Sequence, residues 1–250
     1  YADGTFKELS EEQVEKISAH PGIREAGERT VCGFCTTGVF GKVPAEVSYM
    51  DKNCTKWSYA TPTTGREPEQ SNEIAMDTVA LKLLGVTPEL GAKVTIEYQA
   101  GDKTNGGFQK TDTFILSGYW EYDDLMPVHY INVSKDYVKS LEEKWMASGE
   151  KAFRTDLNVM LPSKLNIEQQ MQKIDTDLGY DWNTRDQENS ARIGVNWGLT
   201  ASQLNAGMDP ELLAAIAAFL LLVIFTGYLI IYNIFQISVT GDIRFYGLLK

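Results

Sequence analysis

The sequence predicts an α+β domain followed by one transmembrane α-helix. Three observations indicate this fold class. Residues 1–208 alternate between short segments with the two-residue periodicity of strands and capped segments with helical periodicity. Residues 212–231 then form a run of 20 residues without a charge, Asn, Gln or Pro. Acidic residues precede this run and basic residues follow it, which is typical of a helix that crosses a membrane in one direction.

The first predicted helix begins at Ser10. Gln13 follows three residues later, which is the spacing of a capping box. Val14 and Ile17 supply a narrow apolar face, and the sequence His20-Pro21-Gly22 ends the helix.

Three cysteines, Cys32, Cys35 and Cys54, come next. The spacing of Cys32 and Cys35 occurs in redox pairs, in halves of zinc sites and in structural disulfides. A redox pair favours the start of a helix, whereas residues 30–40 are rich in Gly, Thr and β-branched residues and predict strand and turn. A closed zinc site needs four ligands, and only three Cys and two distant His are candidates. We therefore expect either one disulfide with a leftover thiol or three reduced thiols, and the sequence leaves the pairing open.

A strand, a helix and a hairpin are predicted after the cysteines. Residues 73–76 form a short strand, and Asp77 caps a helix that Gly85 ends in a left-handed conformation. Residues 94–98 alternate as a half-buried strand. A loop rich in Gly and Asn then leads into residues 110–120, which predicts a β-hairpin.

A second strand and helix pattern follows and then repeats. Residues 130–133 form an apolar strand, and Ser134 caps the next helix. Residues 157–161 form another strand, after which Asn166 caps a helix that ends at Gly179. Apolar residues in this last helix are spaced by 4, 3 and 4 positions, which indicates one buried face.

A polar connection at residues 182–203 leads to the apolar run at 212–231. As a helix this run would span about 30 Å, the thickness of the hydrocarbon core of a bilayer. Thirteen of its 20 residues are Leu, Ile, Val or Phe, and together they favour insertion by about 6 kcal/mol. Asp209-Pro210-Glu211 marks its start, and Arg244 and Lys250 follow its end. This asymmetry predicts a cell-membrane protein with an extracytoplasmic domain and a cytoplasmic C-terminus.

Residues 233–250 carry an ordered motif, Asn-Ile-Phe-Gln-Ile-Ser-Val-Thr-Gly-Asp-Ile-Arg-Phe-Tyr-Gly-Leu-Leu-Lys. It resembles the signature of FtsX-like and MacB-type ABC transporter permeases. In that family an N-I-x-x-x-S-V run closes the second transmembrane helix, and an Arg, a Gly-Leu or Gly-Ile pair and a basic residue follow. The resemblance implies that Asn233, Ser238, Arg244 and Gly247 lie where motion passes from an ATPase into the membrane. It also implies that the chain is a fragment of a longer permease.

A second resemblance lies within the predicted domain. Gly65-Arg66-Glu67-Pro68, residues 72–76, residues 80–85 and residues 91–95 occur in this order. They resemble the G-R-x-P, N-E-I-A, A-x-x-L-G and x-G-x-x-V segments of the MacB-type core domain. The resemblance implies a mixed α+β extracellular domain of the MacB type.

The two resemblances together imply three parts. Residues 1–208 form the extracellular core domain, residues 209–237 the transmembrane helix, and residues 238–250 the start of a cytoplasmic coupling segment. Thr240 and Gly241 are expected to break the helix where that segment begins.

Composition and motifs restrict the function. The formal net charge of −11 argues against a nucleic-acid partner. The sequence has no G-x-x-x-x-G-K-[ST], H-E-x-x-H or G-x-S-x-G motif, and only His20 and His129 are available as histidine bases. We therefore expect a chain that is not an enzyme, with no catalytic, cofactor-binding or metal-binding residues.

The family resemblance implies the partners. ATP and Mg²⁺ would be bound by a cytoplasmic ABC ATPase subunit, and the further partners would be a second permease protomer or permease half and membrane lipid. The ectodomain would couple ATP hydrolysis to export, extraction or signalling. Two alternatives stay open: a membrane-anchored thiol-redox protein that uses Cys32 and Cys35, and a single-pass sensor or adhesion protein.

Overall fold

The computed structural model describes residues 1–101, 107–124, 126–147, 153–183, 189–198 and 210–248. The chain divides into two compact units, an N-terminal unit at Tyr1–Trp197 and a C-terminal unit at Gly198–Lys250. The N-terminal unit combines a mixed sheet with helices, and the described part of the C-terminal unit contains one long helix. The predicted fold class, α+β followed by a long apolar helix, is confirmed.

The elements have the following bounds. The strands are β1 (Gly4–Leu9), β2 (Glu25–Cys35), β3 (Ala45–Met50), β4 (Thr64–Gly65), β5 (Glu73–Asp77), β6 (Lys93–Ala100), β7 (Phe108–Trp120), β8 (His129–Val133), β9 (Arg154–Met160) and β10 (Arg192–Val195). The helices are α1 (Glu11–Ser18), α2 (Lys52–Trp57), α3 (Thr78–Leu83), α4 (Lys135–Met146), α5 (Ile167–Leu178) and α6 (Pro210–Leu248).

The strands form one sheet in the order β10-β1-β9-β2-β3-β8-β5-β7-β4. β6 pairs with β7 along its whole length and also with β2 at Gly33 and Phe34. Strands β2, β3, β8, β5, β7 and β6 therefore form a closed ring of pairings. The β3–β8 and β5–β7 pairs are parallel, and the other pairs are antiparallel.

Two hydrophobic cores stabilise the N-terminal unit. The first takes apolar side chains from all six strands of the ring and from α3 and α4, including Tyr98, Phe114 and Leu141. The second lies between β1 and β9 on one side and α1 and α5 on the other, and includes Phe6 and Met171. Burial of these side chains from water is the main favourable contribution to the stability of the unit.

Most helix starts lie where the sequence predicted them. Ser10 Oγ accepts from the Gln13 backbone N–H at 3.3 Å, and Gln13 Oε1 accepts from the Ser10 N–H at 2.9 Å, which is the predicted capping box. Asp77 caps α3 by accepting from Ala80 N–H at 2.7 Å, and Ser134 caps α4 in the same way.

Two predictions about the last part of the N-terminal unit are wrong. Asn166 precedes α5 but makes no side-chain cap, because its φ of 53° places it in the left-handed region and not in the extended conformation of a capping residue. Residues 182–203 are not only a polar connection, since they contain β10, which pairs antiparallel with β1. The predicted hairpin loop at residues 102–106 lies outside the described residues.

Asp175 on α5 is a buried carboxylate in which neither oxygen has a hydrogen-bond partner. Burial raises the pKa of Asp175 from an ordinary value of 3.8 to about 7. Because the pKa is raised in the folded state, the stability from the neutral acid is complete below pH 3.8 and is lost as the pH rises through 7.

We expect Asp175→Asn to raise the free energy of unfolding by about 2 kcal/mol at pH 8 and to have little effect at pH 4. Thermal melting of the wild type and the variant at both pH values measures this difference. Asp177→Asn is the matched control, because Asp177 is more exposed, pairs with Lys173 and has a lowered pKa. An equal effect of Asp175→Asn at both pH values would contradict the prediction.

Candidate functional site

Helix α6 contains a candidate membrane span at Ala214–Val239. These 26 residues form a stretch long and apolar enough to cross a membrane, and none of them is buried in the structure. Their large side chains are exposed on every face, including Phe225 and Phe235. Contiguous exposed apolar surface on this scale marks an interaction site, and a bilayer is the environment that suits a helix apolar on all sides.

The helix does not break where the sequence predicted. α6 runs without interruption from Pro210 to Leu248 and includes Thr240 and Gly241. Backbone hydrogen bonds maintain the helix through these residues, because a single glycine in a helix costs only about 1 kcal/mol. The predicted N-cap Asp209 and the basic residue Lys250 lie outside the described residues.

The continuous helix has a consequence for the four predicted coupling residues. Asn233 and Ser238 lie within the exposed span, and Arg244 and Gly247 follow on the same helix. Arg244 follows Asn233 by 11 residues and Gly247 follows it by 14. These separations are close to three and four full turns at about 3.6 residues per turn. Positions 233, 244 and 247 therefore share one face of α6, whereas position 238 lies on another.

The three cysteines of the N-terminal unit are free, buried thiols. This is one of the two arrangements that the sequence left open. Cys32 and Cys35 lie on β2, and residues three apart in an extended strand are separated by about 10 Å, beyond the reach of a disulfide. Burial raises the pKa of Cys32, raises that of Cys35 to about 12 and raises that of Cys54 to about 11, so all three stay protonated at neutral pH.

His129 is buried at the start of β8 and serves to join elements. Its Nδ1 lies 2.9 Å from Asp77 Oδ2, and the other oxygen of Asp77 caps α3. The ring of Tyr122 lies 4.4 Å from the His129 ring, and that of Phe40 lies 5.9 Å from it. In the part of the chain that the structure describes, no group of three or more His, Cys, Asp or Glu could hold a metal ion.

The first two motif segments of the N-terminal unit, residues 65–68 and 72–76, are joined by an ion pair between Arg66 and Glu73. Arg66 Nη1 and Nη2 donate to the two carboxylate oxygens of Glu73 at 2.9 and 2.5 Å. The backbone N–H groups of Glu69 and Gln70 donate to the same carboxylate. Burial alone would raise the pKa of Glu73, but these donors lower it to about 2.

Gly65 and Glu67 attach residues 65–68 to two further strands, β7 and β8. Gly65 has a φ of 81° and pairs with Gly118 on β7. Glu67 Oε2 accepts from Asn132 Nδ2 on β8 at 3.4 Å, and the same nitrogen donates to Ala60 O at 3.3 Å. Residues 60–68 thus connect β7, β5 and β8, and we call them the clamp segment.

A group of polar side chains, each with a buried polar atom, lies near the clamp segment, and we call it the polar layer. Ser48 on β3 is the register partner of Asn132, and Glu46 lies two residues before Ser48 on the same strand. Arg29 Nη1 lies 3.6 Å from Glu46 Oε1. Each member has one buried side-chain atom without a hydrogen-bond partner: Arg29 Nε, Glu46 Oε1, Ser48 Oγ, Glu67 Oε1 and Asn132 Oδ1.

Sequence reasoning did not identify the polar layer as a site. Its members are spread from Arg29 to Asn132, and only the sheet pairings bring them together. The one local signal was the resemblance at residues 65–68, which marked Glu67 without indicating its partner.

No protein-family model matches the chain, and no curated protein matches it in sequence. Among solved structures, the chain is similar to the extracellular domain of the noncanonic ABC-type transporter YknZ from Gram-positive bacteria, at 12% identity and a TM-score of 0.42 over 74% of this chain and 88% of that one. It is also similar to the periplasmic region of MacB from Actinobacillus actinomycetemcomitans, at 11% identity and a TM-score of 0.43 over 81% of this chain and 92% of that one.

A third similar structure is a domain of a protein designated a permease from Porphyromonas gingivalis, at 8% identity and a TM-score of 0.39 over 78% of this chain and 90% of that one. All three are domains of transporter or permease proteins.

Proposed function

We propose that this chain is the ectodomain and the following membrane helix of an FtsX-like, MacB-type ABC transporter permease. One observation carries the proposal: the exposed apolar span of α6 continues without a break into the motif residues Arg244 and Gly247. The α+β unit that precedes this span in the chain supports the same assignment.

In this proposal a cytoplasmic ABC ATPase subunit binds ATP and Mg²⁺ and moves the cytoplasmic end of α6. Because α6 is continuous, a displacement at Gly247 reaches Ala214 about 50 Å away along one rigid helix. The N-terminal unit, which is extracytoplasmic, converts this motion into export, extraction or signalling. The acidic residues before the span and Arg244 after it support this orientation.

The face shared by positions 233, 244 and 247 is the proposed coupling face. A helix that receives force needs a close contact with its neighbour, and glycine permits the closest approach of two backbones. Asn233, like Gln236 and Ser238, is a polar residue in a mostly apolar span, and polar residues in spans face other helices in preference to lipid. A second permease protomer or permease half supplies such a neighbour, and lipid covers the remaining faces.

Gly247→Leu in the complete permease, expressed with its ATPase, tests the proposal. We expect the variant to insert normally and to lose substrate-dependent ATP hydrolysis by about 10-fold or more, because a misplaced contact in a working assembly is costly. Gly227→Leu is the matched control for a glycine in the same helix, since an added Cβ there meets nothing within 4 Å. Membrane extraction, co-purification of the ATPase and the hydrolysis rate are measured on both variants.

Two outcomes contradict different parts of the proposal. A wild-type protein that purifies from membranes without any P-loop ATPase would overturn the permease assignment. A Gly247→Leu variant with unchanged ATP hydrolysis would overturn the coupling face and leave the assignment intact.

A further inference from the structure

Glu67 and Asn132 hold two buried acceptor atoms that lack a donor. Asn132 Nδ2 donates to Glu67 Oε2 and to Ala60 O. Both partners are acceptors, and this fixes the orientation of the Asn132 amide. Asn132 Oδ1 is therefore an acceptor, and it has no hydrogen-bond partner. Glu67 Oε1, the second oxygen of the neighbouring carboxyl group, also has none. A carboxylic acid and an amide form a ring of two hydrogen bonds, and the bond from Asn132 Nδ2 to Glu67 Oε2 is one of the two. The second bond requires a hydrogen on Glu67 Oε1.

We propose that a proton on Glu67 closes a two-hydrogen-bond ring with the Asn132 amide, and that loss of this proton in mildly alkaline solution loosens the clamp segment. In the closed ring, Glu67 Oε1–H donates to Asn132 Oδ1 while Asn132 Nδ2–H donates to Glu67 Oε2. Opening releases one proton to water and leaves a carboxylate facing the Asn132 carbonyl oxygen. This inference is independent of the permease assignment.

The charges around the polar layer favour the protonated form. Arg29 lies 3.6 Å from Glu46 and 3.4 Å from Asp156 and serves both carboxylates. Arg66, the cation next to Glu67 in the chain, binds Glu73. Among the described residues, the structure shows no ion pair for Glu67 itself. An ionised Glu67 would add a third negative charge near Arg29, which already serves the two acids Glu46 and Asp156.

Three other groups on the surrounding elements, two tyrosines and a cysteine, titrate above neutral pH. Burial raises the pKa of Tyr49 on β3 to about 12 and that of Cys54 on α2 to about 11, and it also raises the pKa of Tyr130 on β8. Burial raises the pKa of Glu67 from 4.5 to about 7, against the smaller opposing effects of the Asn132 and Thr55 side chains.

The direction of the pH effect follows from this shift. The folded-state pKa of Glu67 lies above the ordinary value of 4.5, so the stability from the closed ring is complete below pH 4.5 and is lost as the pH rises through 7. The backbone of the clamp segment is attached to β7, through Thr63 N–H to Tyr119 O at 3.0 Å and Arg66 N–H to Ser117 O at 2.9 Å. The Asn132 side chain attaches the same segment to β8.

Glu67→Gln tests the proposal, because a glutamine amide can form the same ring at every pH. Melting temperatures of the wild type, Glu67→Gln and the control Glu69→Gln are compared at pH 5 and pH 8.5 in the full chain. Glu69 is the matched control because its carboxylate is 74% exposed in its contact with Arg66. Glu67→Gln should equal the wild type at pH 5 and melt about 5 °C higher at pH 8.5. Asp175 makes the same pH-dependent contribution to the melting temperature of all three proteins, so it cancels in the difference between variant and wild type.

Infrared spectroscopy shows directly whether a proton or a metal cation lies at the Glu67 and Asn132 oxygens. Because Asp175 contributes the same buried-acid infrared band to both proteins, the wild-type spectrum minus that of Glu67→Gln isolates the band of Glu67. This difference band should be present at pH 5 and decrease with a midpoint near pH 7. A Glu67→Gln difference that is the same at both pH values would overturn the proposal. A second result would also overturn it: Ca²⁺ or Na⁺ raises the melting temperature of the wild type at pH 8.5 but not that of Glu67→Gln. A cation would then bind the oxygens of Glu67 and Asn132 in place of the proton.

Discussion

Gly65→Ala is expected to lower the free energy of unfolding by about 3 kcal/mol or more. A Cβ at this position would lie 2.2 Å from Ser117 O and 2.6 Å from Leu90 Cδ2. The Leu90 side chain can move, but the Ser117 carbonyl is held in β7, where it accepts from Arg66 N–H at 2.9 Å. The φ of 81° adds backbone strain for any residue with a side chain.

Gly85→Ala separates these two effects. Gly85 also has a positive φ, 70°, but an added Cβ there meets nothing within 4 Å. It should therefore show only the backbone term, about 1 kcal/mol. Thermal melting of both variants gives the comparison, and equal losses would show that the contact of an added Cβ with the Ser117 carbonyl has no cost of its own.

Local features of the fold were predictable from the sequence. The caps at Ser10, Asp77 and Ser134 each involve a side chain and a backbone N–H three residues away, so a short stretch of sequence contains the whole interaction. The β6–β7 hairpin was predictable for the same reason, because alternation in both strands is read within one window.

Elements that depend on distant partners were not predictable. β1 was missed because a bulge interrupts its alternation: Phe6 and Leu9 are both buried although they are three residues apart, and Glu8 between them has a φ of 61°. β10 has only four half-buried residues at the edge of the sheet, and its pairing with β1 joins the two ends of the N-terminal unit. A short edge strand carries too little pattern to be recognised.

The candidate site shows the same division. The motif at residues 65–68 marked the clamp segment, and the Arg66–Glu73 pair spans only seven residues. The Glu67–Asn132 pair spans 65 residues, and the raised pKa of Glu67 results from burial that no short stretch of sequence indicates. For α6 the sequence predicted the span correctly but also a break at residues 240–241, which the structure does not have. That prediction gave too much weight to the low helix propensity of a single Gly and too little to the helical residues on both sides of it.

Ile224→Arg combined with Phe225→Arg is expected to release the protein from the membrane. The apolar run favours insertion by about 6 kcal/mol, and each arginine near the centre of a span costs about 2.5 to 3.5 kcal/mol in addition to the lost apolar residue. The two substitutions therefore cancel the driving force of the single span. Both positions lie close to the middle of Ala214–Val239, and both side chains are exposed in the structure.

The double alanine variant at the same two positions is the control, since alanine preserves the helix and costs little in a span. Alkaline extraction of membranes, followed by detection of the protein in the pellet and the supernatant, measures the outcome for a version of the chain that carries α6 as its one span. The arginine variant should move to the supernatant or be degraded, and the alanine variant should stay in the pellet. If the arginine variant stays in the pellet, α6 is not the membrane anchor. The apolar surface of α6 would then have to be covered by protein. The permease assignment would lose the observation on which it depends.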